Sequence, residues 1–333
     1  MAAAARRRRP PPREAALFAY IRRFGVGADR ALRRRMSSPR QITPGATYLV
    51  SRRVLLRQFL LRPSAEINGI FVYCLAYAAS RTEVEIHGFC AMSNHWHGVV
   101  TDPKARLPEF LQMFHRLVAV AVNASLGRVE NVWACEPTSV VRLESADDVL
   151  DKLAYMAANP VAAGLVSSPA EWPGAMTTGL GNVLTATRPK HFFSARGRMP
   201  ATVTLVCTLP KMLDTLGLDV ARRRLRTLVQ AYVRRARMVM RAQRRPFAGA
   251  ASVRSAPITT SAASPEPMRQ LKPSIASKDR ERRIEALRRI RAFRYDYRIA
   301  LDRWRNGDRG VRFPSGTYRM RVLHGVCCGP PPI

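Results

Sequence analysis

The chain has 333 residues and a mass of 37.3 kDa, more than one compact domain usually needs, so we expect one or two folded units with tails or linkers. It has 56 Lys and Arg against 23 Asp and Glu, a formal net charge of +33. Such an excess indicates a polyanionic partner, nucleic acid or an acidic membrane surface, and makes an ordinary small-molecule enzyme a poor candidate.

The positive charge is concentrated at the two ends of the chain. Residues 1–40 contain 12 basic and 2 acidic side chains, residues 41–200 contain 15 and 12, and residues 201–333 contain 29 and 9. A nearly neutral middle is typical of a globular domain, whereas Arg-rich ends are typical of solvated segments. We therefore predict a basic disordered tail (1–40), a folded domain (41–200), an Arg-rich helical extension (201–245), a flexible linker rich in Ala, Ser and Pro (246–276), and a basic amphipathic helix with a C-terminal turn and strand (277–333).

Cysteine spacing and hydropathy exclude several classes of protein. None of the six cysteines forms a Cys-x-x-Cys pair, so neither a zinc ribbon nor a disulfide framework is supported. No run of about eighteen apolar residues is present, and the N-terminus lacks the apolar centre of a secretory signal. We expect a cytoplasmic protein with reduced thiols and no membrane partner.

Residues 46–163 have a pattern that alternates between strands and helices. A Ser at 64 and another at 145 are suited to cap the first turns of two helices, the second of which should stop at Asn159-Pro160. In chain order the pattern predicts a strand (46–51), a helix (64–80), two strands joined by a tight turn at Ser93-Asn94 (84–92 and 95–101), a helix (107–127), a strand (139–143) and a helix from 145. This order is that of a ferredoxin-like α+β fold, an antiparallel sheet with helices on one face.

The C-terminal third of the chain is dominated by Arg. Residues 218–245 predict an Arg-dense helix, and an apolar stripe over 284–304, ending at Asn306-Gly307, predicts a second one. The stripe would dock the second helix on the core, while its Arg-rich faces could also contact a phosphate backbone.

The strongest chemical signal is the sequence His-Trp-His at residues 95–97. Side chains alternate along a strand, so His95 and His97 share one face and Trp96 points to the other. Two imidazoles two residues apart can chelate one divalent ion, although a His-x-His pair alone is a weak signal.

The surrounding motifs resemble the HUH single-tyrosine transposases, including the REP-associated tyrosine transposases. The family usually has Met-Pro-Asn-His-Val-His followed by an apolar strand, and this chain has Met-Ser-Asn-His-Trp-His at residues 92–97. Further matches follow in the same order over about residues 46–175: Asn123, Gly127-Arg128, Trp133, Tyr155 and Asn159-Pro160-Val161.

The resemblance implies metal-dependent strand transfer on single-stranded DNA, often at a hairpin. It assigns Mg²⁺ or Mn²⁺ to His95 and His97, with Asn123, or alternatively His115, completing the ligand set. It also implies a tyrosine nucleophile about one turn before Asn123, a position that falls at Val118 or Ala119. No tyrosine occurs between Tyr77 and Tyr155, and Tyr155 belongs to a separate motif of the family, so we expect the nucleophile to be missing.

Three functions remain open at this stage. The chain could be a transposase-family enzyme that still cleaves DNA, with water replacing the tyrosine, or a decayed relative that binds structured DNA without strand transfer. A basic RNA-binding protein is the third, although no glycine-aromatic RNA-recognition signature is present. For DNA contacts the best candidates are Arg52, Arg53, Arg57 and Asn94, and family analogy implies a homodimer.

Overall fold

The computed structural model describes residues 39–177, 179–192, 197–262 and 273–330. The basic tail predicted for 1–40 therefore lies, except for its last two residues, outside the described residues. The described residues from Gln41 onward form one compact unit. Its first part contains β1 (Ala46–Arg53), α1 (Ala65–Thr82), β2 (Glu85–Met92), β3 (His95–Asp102), α2 (Leu107–Leu126), β4 (Ser139–Leu143) and α3 (Ala146–Ala162). This order of elements confirms the one predicted from the sequence.

The remaining elements are shorter strands and Arg-rich helices. They are β5 (Val183–Thr187), β6 (Thr202–Val206), α4 (Leu218–Ala242), α5 (Ala250–Ser255), β7 (Ile275–Ala276), α6 (Arg280–Arg305) and α7 (Arg319–His324). Short 3-10 turns occur at Leu55–Arg57, Pro169–Glu171 and Lys211–Leu216. Both Arg-rich helices predicted from the sequence are present, and none of the described helices has the length and hydropathy that a bilayer crossing requires.

The main sheet has the strand order β2-β3-β1-β4-β7. The pairs β2–β3, β3–β1 and β1–β4 are antiparallel, but β7 lies parallel to β4. The sheet is therefore mixed, and the prediction of a purely antiparallel sheet is wrong because a C-terminal strand, too short to predict from its two residues, joins the edge. β5 and β6 form a separate hairpin that packs on α1.

Helices cover both faces of this sheet, which corrects the prediction of helices on one face. Trp96 of β3 contacts Phe71 of α1 and Phe114 of α2 on one face. On the other face Val99 belongs to a core cluster with Leu153 of α3. Since β3 carries buried side chains in both directions, each face needs an apolar cover.

Local signals account for the helix that will matter most for the site. The Ser145 hydroxyl accepts a hydrogen bond from the Asp148 N–H at 3.1 Å, the predicted cap of α3. The helix does not stop at Asn159 but continues through Pro160 to Ala162. Pro160 lies in the last turn, where its missing N–H affects only the end of the helix, and it is packed in the core together with Val161.

Part of the predicted linker is ordered against the domain. Within 246–276, α5 buries Val253, and the carbonyls of Ile258 and Thr260 both accept from the Phe59 N–H. Residues 263–272 lie outside the described residues. The apolar stripe of α6 is only partly covered: Phe293 and Ala300 are buried, but other members of the stripe, Ile284 and Leu287 among them, are exposed.

Candidate functional site

The two histidines of β3 lie side by side on one face of the sheet. β2 turns directly into β3, with Met92 paired to His95 across the hairpin. The alternation along β3 sends Trp96 to the opposite face, and the ring centroids of His95 and His97 lie 4.7 Å apart, nearly perpendicular. The shared face inferred from the sequence thus corresponds to a close pair of partly buried imidazoles.

Both imidazoles are held in the neutral form that binds metals. Burial lowers the pKa of His97 to about 4. Burial also lowers the pKa of His95 well below its usual value, with further contributions from His97, Arg53 and Arg57. Asn94 Oδ1 lies 2.6 Å from His95 Nδ1, so it accepts the ring proton there and leaves Nε2 with a free lone pair.

A tyrosine on α3 faces this pair. The ring of Tyr155 contacts the ring of His97 edge to face, with centroids 5.9 Å apart. The side chain of Tyr155 is 39% exposed, and among the described residues its hydroxyl has no hydrogen-bond partner. Burial of the ring raises the pKa of Tyr155. A phenol that borders the histidines and is open to solvent is therefore available for chemistry.

Asn159 lies one helical turn after Tyr155, on the same face of α3. It is 9% exposed, and its buried Nδ2 has no hydrogen-bond partner within the described part of the chain. Turning the amide exchanges Nδ2 and Oδ1, so this position can present either a donor or an acceptor. A buried, unsatisfied amide one helical turn from the tyrosine that contacts His97 is an uncommon use of a polar group.

α3 approaches the sheet closely because Gly88 of β2 has no side chain. A Cβ at that position would stand 2.9 Å from Leu153 Cδ2 and 2.9 Å from Met156 Cε. These two residues flank the turn of α3 that carries Tyr155. The small residue in β2 thus brings Tyr155 within contact of His97.

The residues predicted on α2 lie on the opposite side of the sheet. Val118 is fully buried in the cluster that includes Trp96, and Ala119 packs against that cluster. His115 is bound to the indole of Trp96, and Asn123 donates from Nδ2 to the Glu130 carbonyl at 2.7 Å. The structure therefore does not bring Val118, Ala119, Asn123 or His115 to the histidine pair, since α2 and α3 cover different faces.

The three predicted arginines divide between the two faces. Arg53 is paired with His95 in the β1–β3 register, and its charge and that of Arg57 act on the pKa of His95. Arg52 points the other way, where its Nη1 lies 3.0 Å from His115 Nδ1. Arg53, Arg57 and Asn94 thus border the histidine pair, whereas Arg52 does not.

A buried ionic network, not predicted from the sequence, holds the helix that carries Tyr155. Asp151 accepts from the Tyr232 hydroxyl of α4 at 2.8 Å, and it pairs with Lys278 at 2.6 Å and Lys152 at 3.0 Å. Burial acts to raise the pKa of Asp151, but these partners hold it below its usual value. The Tyr232 ring also contacts that of Tyr155, with centroids 6.3 Å apart. The C-terminal extension is therefore part of the surroundings of Tyr155.

The donors of the site suit a divalent ion that accepts both nitrogen and oxygen. No cluster of three or more His, Cys, Asp or Glu side chains suited to a metal occurs among the described residues. The paired His95 and His97 imidazoles are the nitrogen donors, and His97 Nδ1 is buried without a partner among the described residues. The nearest amide donor along α3 is that of Asn159, one turn from the Tyr155 ring that contacts His97. Two imidazoles and an amide fit Mn²⁺ better than Mg²⁺, which prefers oxygen ligands.

No protein-family model matches the chain, and no curated protein is similar to it in sequence. One similar solved structure is that of a REP-associated tyrosine transposase bound to a REP hairpin, with 16% identity, a TM-score of 0.36, and coverage of 42% of this chain and 81% of that chain. Another, from Deinococcus radiodurans R1 and described as a candidate transposase, has 16% identity, a TM-score of 0.25, and coverage of 28% and 76%. Similarities at this level do not define the function of this chain.

Proposed function

We propose that this chain is a transposase-like enzyme that cuts and rejoins single-stranded DNA at hairpins, with Tyr155 as its nucleophile. The observation that carries the proposal is the contact between the solvent-accessible Tyr155 and the His95–His97 pair on one face of the sheet. The strand and helix order, read as a ferredoxin-like domain, and the HUH-like motif are in keeping with it. In this proposal Tyr155 is the tyrosine nucleophile that was expected to be missing. That expected absence was the reason to consider a relative that binds DNA without strand transfer.

In this proposal His95, His97 and Asn159 hold Mg²⁺ or Mn²⁺, with Asn159 in the role that the sequence resemblance gave to Asn123. The bound ion supplies Lewis-acid polarisation of the scissile phosphate. Asn94 keeps the Nδ1 proton of His95 in place, which leaves Nε2 free to coordinate. Arg53 and Arg57 place positive charge beside the same histidine, where a phosphate backbone would pass.

The chemical step is a transesterification that needs no other reactant. The Tyr155 phenol loses its proton to solvent, and its oxygen forms a bond to the phosphorus of the scissile link. The bond from phosphorus to the 3′ oxygen breaks, and that oxygen takes up a proton to become a free 3′-hydroxyl. The product is a 5′-phosphotyrosine ester, which a second 3′-hydroxyl can attack in reverse to rejoin DNA.

The experiment is cleavage of a labelled, hairpin-bearing single strand with Mn²⁺. We expect cleavage and a covalent adduct on the peptide that contains Tyr155 with the wild type, and neither with the double variant His95→Ala, His97→Ala. His324→Ala, an exposed histidine on α7, is the matched control and should retain both activities. Cleavage that survives the double variant, or that a chelator does not stop, would refute the proposal. Light scattering on the same samples would test the homodimer.

A further inference from the structure

A cleft lies on the face of the sheet opposite Tyr155. It has a volume of about 340 Å³, within the range of small-ligand sites, and is formed by α2, the end of β1 and residues 129–135. Its lining includes Arg52, Asn123, Glu130 and Trp133. None of these residues takes part in the chemistry proposed above.

Arg52 brings an incompletely satisfied guanidinium to this cleft. Its Nε is buried without a hydrogen-bond partner, and no carboxylate pairs with it in the part of the chain that the structure describes. Its charge lies over the ring of Trp133, 5.6 Å from the centroid. Burial lowers the pKa of Arg52, the sign of a cation that has lost water without gaining a counter-charge.

Among the described residues the Arg52 side chain makes one hydrogen bond, to His115, and a second donor competes for the same imidazole. Both Trp96 Nε1 and Arg52 Nη1 point at the ring nitrogens of His115, each at 3.0 Å. A neutral imidazole has one acceptor nitrogen, and burial keeps the pKa of His115 well below its usual value. Trp96 is fully buried, and within the described part of the chain His115 is the acceptor of its Nε1, so Arg52 is the donor that gains from an acceptor within the cleft.

Asn123 contributes an acceptor to the same cleft. Its Nδ2 donates to the Glu130 carbonyl, which fixes the orientation of the amide. Its Oδ1 is buried without a hydrogen-bond partner among the described residues. The cleft therefore offers donors from Arg52 and an acceptor from Asn123, two complementary groups that the protein leaves unsatisfied.

We propose that this cleft binds an unpaired base of the DNA strand, with a base acceptor on Arg52 and a base N–H on Asn123 Oδ1. A bare phosphate offers only acceptors and would face Asn123 Oδ1 and the Glu130 carboxylate, whereas a base edge carries donors and acceptors together. Arg52 and Arg53 are adjacent at the end of β1 and point to opposite faces, so one strand passing that end can reach both the cleft and the histidines. The inference rests on the proposed function in taking DNA as the ligand.

The test is photo-crosslinking of a hairpin-bearing DNA strand with iododeoxyuridine at successive unpaired positions, followed by trypsin and mass spectrometry. Cleavage at Arg128 and Arg142 isolates the peptide 129–142, of which residues 129–135, Trp133 among them, line the cleft. We expect at least one position to crosslink to this peptide. Arg52→Lys and Asn123→Leu should each lower that yield about tenfold, as loss of a base contact does. Arg116→Lys, the same change at an exposed site of α2, should leave it unchanged.

The outcomes separate the two proposals. Formation of the Tyr155 adduct without any crosslink to residues 129–142 overturns the base-binding cleft and leaves the enzyme proposal standing. The crosslink without the adduct supports the cleft and refutes the enzyme. Competition by inorganic phosphate as strong as by the DNA strand, or a preference for RNA of the same sequence, overturns the assignment to a DNA base. The wild-type crosslink map decides the matter even where a variant fails to fold.

Discussion

Replacement by Phe should affect activity at Tyr155 and stability at Tyr232, although the two rings are in contact. Tyr155→Phe removes a hydroxyl that has no partner among the described residues, so we expect a change in unfolding free energy within about 0.5 kcal/mol. The same change removes the proposed nucleophile, so the covalent adduct should disappear and cleavage should fall at least about 10³-fold. The loss is chemical because the ring, and with it the contact to His97, is retained.

Tyr232→Phe is the matched control. Its hydroxyl donates to the buried Asp151, and the pKa of Tyr232 is raised to about 12 by burial and by that bond. Removing a hydrogen bond to a charged group costs about 1.5–3 kcal/mol, which for a chain of this size lowers Tm by roughly 2–5 °C. Thermal unfolding and gel detection of the adduct measure both variants side by side. An adduct formed by Tyr155→Phe, or a stable Tyr232→Phe that no longer forms one, would refute this division of roles.

Three further predictions concern the metal ligand on α3, the buried position 118 on α2, and the buried His87. Asn159→Ala should lower the affinity for Mn²⁺, measured by calorimetry, about tenfold or more, which is at least the effect of losing an outer-shell partner of a metal ligand. Asn123→Ala should leave this affinity unchanged. The reverse result would mean that the ligand lies on α2, at Asn123, and not on α3. Val118→Tyr should cost about 1–3 kcal/mol by overpacking, whereas Val120→Tyr, at a 50% exposed site, should be tolerated. Introduced together with Tyr155→Phe, Val118→Tyr should not restore the covalent adduct, and an adduct in that double variant would contradict the assignment to Tyr155. Burial lowers the pKa of His87 to about 4, so the unfolded chain binds its proton first and the contribution of His87 to stability falls as pH drops below 6.5. Between pH 6.5 and 5 this contribution falls by about 1.6 kcal/mol, so in denaturant unfolding His87→Gln should lose about that much less stability than the wild type over the same range, and an equal loss in both proteins would contradict the assignment.

Local sequence patterns were sufficient to predict most helices and strands of the first part of the fold. Hydrophobic spacing and two Ser caps predicted the helices that the structure has at Ala65–Thr82 and Ala146–Ala162, because those signals act within one turn. Alternation along β3 likewise placed His95 and His97 on one face. Signals of this kind predict a helix or strand and the residues on each of its faces, but not the elements against which those faces pack.

The errors came from contacts between elements. Periodicity shows that α2 and α3 each have an apolar face, but not which side of the sheet each one covers. The resemblance placed the nucleophile at Val118 or Ala119 on α2, and Val118 is buried on the opposite side of the sheet from the histidines, whereas Tyr155 was assigned to a separate motif. The spacing of Tyr155 and Asn159, one turn apart, was the available signal. Tyr232 and Lys278 had none, since only tertiary packing brings them to Asp151.

Because β7 pairs in parallel with β4, the C-terminal part of the chain covers what would otherwise be an edge strand of the sheet. A protein cut before residue 273 would expose β4 as an edge strand, whose free N–H and C=O groups invite pairing with another molecule. It would also lack Lys278, leaving the carboxylate of Asp151 buried with fewer partners directly beneath the helix turn that carries Tyr155. Proteolytic removal of this basic region would therefore reduce the positive charge of the protein, promote aggregation through the exposed β4 edge, and weaken the contacts that hold the Tyr155 turn of α3 in place.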